Sequence, residues 1–509
     1  MSFDIHYNLL KRFRHVALSA AAGLILALAM PRPGWWWMAW VGLIPLLAAL
    51  RGLSARRAAL CGFVCGAFYY GIVLRWIMLF GLLPWALLIV VESLGFGLFA
   101  AICARVAPWR IGRFGYLAVP AGWTALQFVR TLGSFGFIWG SLAHSQANCL
   151  PVAQIASITG PWGIDFIICF ASLAIWSAIR TRSIKPLIAA SLAAAGVVLF
   201  GAWSLTSSAM PGKSFKVAVL QGNLKNDFNP IPDYIPAALD KYSTMTRDAA
   251  KSRPIVILWP ETALPTDLSE PWLADSLAKL ARSTGSFLLV GGYASPDPAT
   301  PGCIYNSLLG MNSHGLFAGS YSKVKLVPYG EFVPLRQYMP FLKRYGIRAE
   351  DLCAADDHAL INTPIGKIGT SICFESTFPQ IACAETYKGA ELLCVVSNDA
   401  WFKRTSAPEQ HFMMARLRAI ENRRYLLRAA GTGISAVIDP YGRIRQQAGL
   451  FKTGTLIGEV VPIRKLSIYT LSGDWLAYIS CFIVVLGLIR SACGLQKPAR
   501  EKHPQEISH

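Results

Sequence analysis

The sequence predicts a polytopic α-helical membrane domain of about eight spans, with an α/β domain inserted before the last of them. Three observations carry that reading. Hydrophobic residues make up 54% of the 509-residue chain and charged residues only 15%, with a mean hydropathy of +0.42; this fits a membrane protein with a sizeable soluble part. Apolar segments near the ~20 residues of a bilayer crossing fill the first two fifths, vanish, and return once near the end. Between them the pattern switches to short β-rich runs separated by helices.

The expected spans are 15–31, 34–50, 58–80, 84–104, 116–129, 161–179, 186–206 and 469–489, the fifth being short and open to extension through Thr131. The chain then divides into an N-terminal membrane domain with seven spans (1–210), an external domain (211–462), a last span (463–492) and a polar tail (493–509). Orientation follows from basic residues in short connections. Lys11, Arg12 and Arg14 precede the first span, and Arg51, Arg56 and Arg57 follow the second. Arg105, Arg110 and Arg113 follow the fourth, Arg180, Arg182 and Lys185 the sixth, and Arg490, Lys497 and Arg500 the last. Every second connection is basic, whereas Gly81-Leu-Leu is uncharged. Both termini are therefore expected in the cytoplasm and the inserted domain outside.

The net charge of +20 and the pI of 9.6 follow largely from those cytoplasmic loops, so nucleic acid is excluded as a partner. The first span resembles a signal peptide, with a basic start and Ala27-Leu28-Ala29 at its end, and is expected to stay as an uncleaved anchor. Arg75, Glu92 and Asp165 fall within spans, where charges are costly and are paired or near an interface. Trp35-Trp36-Trp37 and Trp139 fit interfacial aromatic belts.

Of twelve cysteines, Cys61, Cys65, Cys103, Cys169 and Cys481 lie in spans as small apolar residues. Cys303, Cys353, Cys373, Cys383 and Cys394 lie in the external domain without zinc-type pairing, so no metal or other cofactor is expected. An oxidising compartment permits disulfides, Cys303 to Cys353 among them, but spacing leaves connectivity open. An odd number of external cysteines leaves at least one thiol free. Expected strands are Lys216–Gln221, Ile255–Trp259, Phe287–Gly291, Tyr305–Met311, Gly315–Ser322, Lys367–Cys373, Leu392–Ser397, Ile434–Asp439 and Thr455–Val460. Expected helices are Pro271–Ser283, Phe378–Lys388 and Pro408–Arg423, the last amphipathic through Phe412, Ala415, Leu417 and Ile420. Continuous apolar strands such as Ile255-Val-Ile-Leu argue for sheets covered on both faces.

Cys373 ends a β-rich run, where active sites of α/β sheets gather, and is the candidate nucleophile. A buried cysteine behind a strand is more often inert packing; its company decides. Glu261 follows a strand and Pro260, which aims a carboxylate off the sheet as a candidate general base, although most glutamates are surface groups. Lys323 lies in an apolar loop, Ser320 to Pro334, and could favour a thiolate or stabilise an oxyanion. Glu331 would orient that lysine or the substrate, and the Phe374 N–H could donate to an oxyanion. His314, His358 and His411 sit in no recognisable signature for a cysteine–histidine pair.

Glu, Lys and Cys in this chain order resemble the carbon–nitrogen hydrolase (nitrilase) superfamily. Further motifs resemble its membrane branch, the apolipoprotein N-acyltransferases: Phe137-Ile-Trp-Gly and Gly160-Pro-Trp-Gly in the membrane region, and Val219-Leu-Gln-Gly-Asn, Trp259-Pro-Glu-Thr, Leu326-Val-Pro-Tyr-Gly-Glu, Ile372-Cys-Phe-Glu and Ser397-Asn-Asp-Ala-Trp-Phe beyond it. The resemblance runs over roughly residues 10 to 490. It implies a nitrilase-like αββα sandwich and transfer of an acyl chain from a membrane phospholipid, through a Cys373 thioester, to the α-amine of a diacylated apolipoprotein. It further implies a bacterial inner-membrane location with the catalytic domain in the periplasm, a monomer, pocket or lipid-entry roles for Glu375, Glu331 and Trp401, and a pocket role for Asn398. The chain departs from the pattern at Lys325, where histidine is common, at Tyr329 and Phe374, which exchange Phe and Tyr types, and at Phe228, near which a tryptophan is usual. Two rivals remain. A membrane-tethered amidase would use the same triad on a small amide with water as acceptor, and eight spans are excessive for a tether. A transporter would show paired halves with broken helices, and none are visible.

Overall fold

The computed structural model describes residues 2–207, 212–224, 234–295, 302–334, 336 and 351–494. Phe228 and the tail beyond 494 lie outside the described residues. Among the described residues thirteen strands form two sheets, and the site follows from how they stack. The first holds β1 (Phe215–Gln221), β2 (Val256–Leu258), β3 (Leu264–Asp267), β4 (Phe287–Ala294), β5 (Tyr305–Met311), β6 (Phe317–Ser322) and β13 (Gly454–Val460), in the order β13-β1-β2-β4-β5-β6 with β3 on β4. The second holds β7 (Ile361–Thr363), β8 (Gly366–Ile372), β9 (Leu392–Ser397), β10 (Leu426–Ala430), β11 (Ser435–Ile438) and β12 (Ile444–Ala448), in reverse sequence order.

Alternation along the strands builds the layers. Val217, Val219, Val256 and Leu258 meet Ile368, Ile372, Leu392, Val396 and Leu427 between the sheets. The opposite side chains of the first sheet, Ala218, Leu220 and Ile257, pack under helices Tyr234–Ala250 and Pro271–Thr284. Those of the second, Leu393, Val395, Leu426 and Ala436, pack under helices Pro379–Tyr387 and Ala407–Asn422. The result is the expected αββα sandwich.

All nine expected strands are present with small shifts at their ends, and β5 and β9 have the expected bounds. Strands β3, β7, β10 and β12 were not expected. All four are only three to five residues long, and β10 carries Arg428, which interrupts its apolar pattern. The helix Tyr234–Ala250 was also missed, although Ala238, Tyr242, Met245 and Ala249 line its buried side at helical spacing.

Among the described residues, four helical stretches are long and apolar enough to cross a membrane: Leu82–Val129, Trp162–Thr181, Lys185–Thr206 and Trp475–Ala492. The first contains two helices, Leu82–Val106 and Gly115–Val129. The other expected spans fall on the shorter apolar helices Phe13–Leu28 and Trp36–Leu50, and on Ala55–Val73, whose first turn carries Arg56 and Arg57. Charges within the bundle are paired. Arg130 reaches Glu92 at 2.7 Å, Gln127 at 2.6 Å and the Trp139 carbonyl at 2.7 Å. Asp165 accepts from Ser141 at 2.8 Å and from Trp123 at 3.2 Å. Arg75 instead is exposed on a short 3₁₀ turn.

Trp35, Trp36 and Trp37 are exposed, as a belt requires, but Trp139 is not. It is buried at the seam between the bundle and the sandwich, donates to Gln410 at 2.6 Å, and packs on Trp76, Phe402 and His411. The seam also corrects the helix Ala407–Asn422. Phe412 and Ala415 face the sheet, while Met413, Met414, Leu417 and Ile420 join the apolar core of the membrane helices. The helix lies where expected, but two opposed partners bury both of its sides, so it is not amphipathic.

Candidate active site

Four chain segments leave the carboxyl ends of β2, β6, β8 and β9 and converge at one end of the sandwich. β8 ends at Ile372, and Cys373 opens a 3₁₀ turn, Cys373–Thr377. Cys373 has φ +53°, a left-handed backbone that costs a non-glycine residue about 1–3 kcal/mol and persists only where the surroundings over-determine it. Cys373 is partly exposed and lies outside any disulfide, whereas Cys303 and Cys353 form one.

Glu261 follows β2 and is 7% exposed. One carboxylate oxygen accepts from Asn306 Nδ2 at 2.7 Å and lies 3.8 Å from Lys323 Nζ; the other accepts from the Asn398 N–H at 2.6 Å. The segment sits directly on β4. A Cβ at Gly291 would come within 2.2 Å of the Pro260 carbonyl, so glycine is required for this close approach. Lys323 follows β6, is fully buried, and donates to Glu331 at 2.7 Å. Glu331 is anchored in turn by the Val327 N–H at 2.8 Å.

These neighbours set the proton affinities. Burial raises the Glu261 carboxyl above its ordinary value; Lys323 opposes that shift and Glu331 adds to it. Burial works against the Lys323 ammonium, but Glu331 and then Glu261 outweigh it, so Lys323 stays charged. Burial, then the Glu261 charge, pushes the Cys373 thiol up, and Lys323 only partly offsets this. The expected pull of the lysine toward a thiolate therefore exists but loses. Burial thus raises the proton affinity of both the Cys373 thiol and the Glu261 carboxyl.

The other expected residues divide. Asn398 meets the site through its backbone N–H, while its side-chain oxygen accepts from the Ala400 N–H at 3.3 Å. Glu375 is fully buried and accepts from four donors: the N–H groups of Val324, Lys325 and Ile372 at 2.7, 2.9 and 2.7 Å, and the Tyr321 hydroxyl at 3.0 Å. It clamps the Lys323 loop to the Cys373 turn. Phe374 is buried among the membrane-helix residues, and Trp401 is half-buried in the turn Asp399–Phe402. Lys325 donates to the Thr131 and Gly133 carbonyls at 3.3 and 3.0 Å and lies 3.8 Å over the Phe378 ring, tying the catalytic loop to the bundle. Sequence reasoning missed Asn306, and it set aside His411, whose Nε2 lies 2.9 Å from the Cys373 carbonyl. His411 carried no local signal, because its partner is 38 residues away.

Similarity to known proteins extends over nearly the whole chain. The family model of the carbon–nitrogen hydrolases matches residues 216–463, and that of the apolipoprotein N-acyltransferase N-terminal domain matches residues 22–174. The apolipoprotein N-acyltransferase of Geobacter metallireducens is 34% identical, over 91% of this chain and 93% of its own. The chain belongs to the apolipoprotein N-acyltransferase family. Family members from Gloeobacter violaceus and Pseudomonas putida are 30% and 31% identical, over 94% and 92% of this chain and 95% of each of theirs. Among solved structures, Saccharomyces cerevisiae Nit3 is 24% identical, covering 58% of this chain and 100% of its own with a TM-score of 0.40. The sandwich described above rests on this chain's own strand pairing.

Proposed function

We propose that this family member moves an acyl chain from a membrane phospholipid to the α-amine of a diacylglyceryl-cysteine at an apolipoprotein N-terminus. The observation that carries the reading is the meeting of Glu261, Lys323 and Cys373 at the end of the sandwich that docks on the membrane helices. Glu261 takes the Cys373 proton, and the thiolate attacks an acyl ester carbonyl. Lys323 and the Phe374 N–H stabilise the oxyanion. Collapse breaks the ester C–O bond; Glu261 returns the proton to the leaving oxygen, lysophospholipid departs, and a thioester remains on Cys373. The acceptor amine then attacks the thioester, Glu261 takes an amine proton, and collapse forms the amide and frees Cys373, which recovers that proton. Glu331 holds Lys323, while Trp401 and Asn398 shape the entrance and pocket.

Topology follows from the same chemistry. Both substrates are lipids, so the pocket opens toward the outer surface of the bacterial inner membrane. The reading places eight spans around it, both termini in the cytoplasm, the domain 211–462 in the periplasm, and one copy of the chain as the working unit. Basic connections on alternate sides support this orientation.

Intact mass of the purified protein after incubation with a defined phospholipid tests the function. Wild type is expected to gain one acyl chain, Cys373→Ala none, and a diacylated lipopeptide should discharge the adduct. Folded wild type that gains no mass with varied lipids would sink the phospholipid half-reaction.

A further inference from the structure

Behind the nucleophile lies a buried polar group that the proposed reaction does not use. His411, Asp399 and Arg428 are all at most 1% exposed. His411 Nε2 lies 2.9 Å from the Cys373 carbonyl oxygen and 2.9 Å from Ser376 Oγ, and Ser376 itself donates to that carbonyl at 2.8 Å. A carbonyl only accepts, so Nε2 carries the ring proton. On the other side of the ring, Nδ1 lies 3.1 Å from Arg428 Nη2 and 3.1 Å from Asp399 Oδ1. Arg428 also donates to Asp399 at 3.0 Å, and Ser397 donates to Asp399 at 2.6 Å. Burial, then the Arg428 charge, lowers the proton affinity of His411, so the neutral ring accepts from Arg428 through Nδ1 and donates through Nε2.

The geometry of a peptide plane gives this contact a consequence. In a trans peptide, the carbonyl of Cys373 and the N–H of Phe374 point in opposite directions from the same rigid plane. Two buried donors, His411 and Ser376, fix where the carbonyl points, and therefore fix where the N–H points. Cys373 also has a left-handed backbone, which relaxes unless something holds it. We infer that His411, backed by Asp399 and Arg428, is a positioning residue: by gripping the Cys373 carbonyl it aims the Phe374 N–H at the point where the ester oxyanion forms. The inference rests on the acyl-transfer reading above. His411 meets Cys373 at its backbone carbonyl, unlike the histidine of a cysteine–histidine pair.

A readout that separates aim from folding tests it. Alkylation of Cys373 by iodoacetamide is a displacement with no oxyanion, whereas thioester formation from a defined diacyl glycerophospholipid needs one. Both rates are read at the Cys373 peptide by mass spectrometry, on the full-length protein. His411→Leu is expected to slow thioester formation by about 10²–10³-fold, the loss typical of one misplaced oxyanion donor, while alkylation changes by no more than about threefold. His411→Gln, which returns an N–H near the Nε2 position, should recover about tenfold, and Ser376→Ala should give the same pattern with a loss of about tenfold. Should His411→Leu fail to fold, Ser376→Ala and His411→Gln carry the test. A parallel fall in alkylation, or unchanged thioester formation in the variants, overturns the inference alone. Wild type that alkylates normally but forms no thioester overturns the acyl-transfer reading, and this inference with it.

Discussion

The two sheets of the sandwich are covered by helices in different ways. Helix Pro271–Thr284 buries Leu273, Leu277 and Leu280 against the first sheet and leaves Trp272, Asp275 and Lys279 in solvent. Helix Ala407–Asn422 is buried along nearly its whole length, because membrane helices cover the side that the second sheet does not. Cys373 leaves the second sheet beside this doubly covered helix, and His411 lies on it. The first sheet supplies Glu261 and Lys323 at its strand ends, and the second supplies Cys373 at the seam with the bundle.

Four measurements would break or sharpen that contrast. Cys373→Ala should reduce acyl transfer to background, while the thermal unfolding of the purified protein stays within a few degrees of wild type. A large fall in melting temperature would mean that Cys373 is needed for packing instead. On the bundle side, Arg130→Met leaves Glu92 without its partner inside the membrane region. Breaking a buried pair costs about 3–5 kcal/mol, so unfolding in detergent should shift strongly, and transfer should fall as the Trp139 carbonyl loses its donor.

At the strand ends of the first sheet, the sign of a pH effect is fixed. Glu261 acts as a base only when ionised, and burial followed by the Glu331 charge moves that ionisation upward, against Lys323. The acid limb of kcat/KM should therefore lie above the ordinary carboxylate range, and Glu331→Gln should move it to lower pH. The plateau should drop by about 10–100-fold as Lys323 loses its holder. An acid limb that moves upward in Glu331→Gln would contradict the assignment of Glu261. The smallest effect belongs to the solvent side of the first sheet's helix. Lys279→Ala breaks an exposed pair with Asp275, and should change stability by no more than about 0.5 kcal/mol and leave transfer untouched.

How much could be read in advance differs residue by residue. Strand ends marked Glu261, Lys323 and Cys373, because apolar alternation is a near-neighbour property and each residue closes such a run. The same logic failed for β10, where buried Arg428 breaks the pattern in order to reach Asp399. The pocket or lipid-entry role of Glu375 came from the resemblance alone, and the four donors that hold its carboxylate as a clamp on the Lys323 loop left no local pattern.

The sequence by itself determined the alternation of membrane and α/β segments, most strands, and the three residues proposed for the chemistry. These are local patterns of hydrophobicity and residue type, set by neighbours a few positions apart. Only the tertiary structure decided that Asn398 and Asn306 hold Glu261, that Glu331 holds the buried Lys323, that Trp139 is buried at a seam, and that His411 meets the Cys373 carbonyl. Most of those contacts join residues between 38 and 271 positions apart. Hydrogen bonds are short and directional, so which groups meet is fixed by the order in which strands pair and helices dock, and no local stretch of chain carries that order.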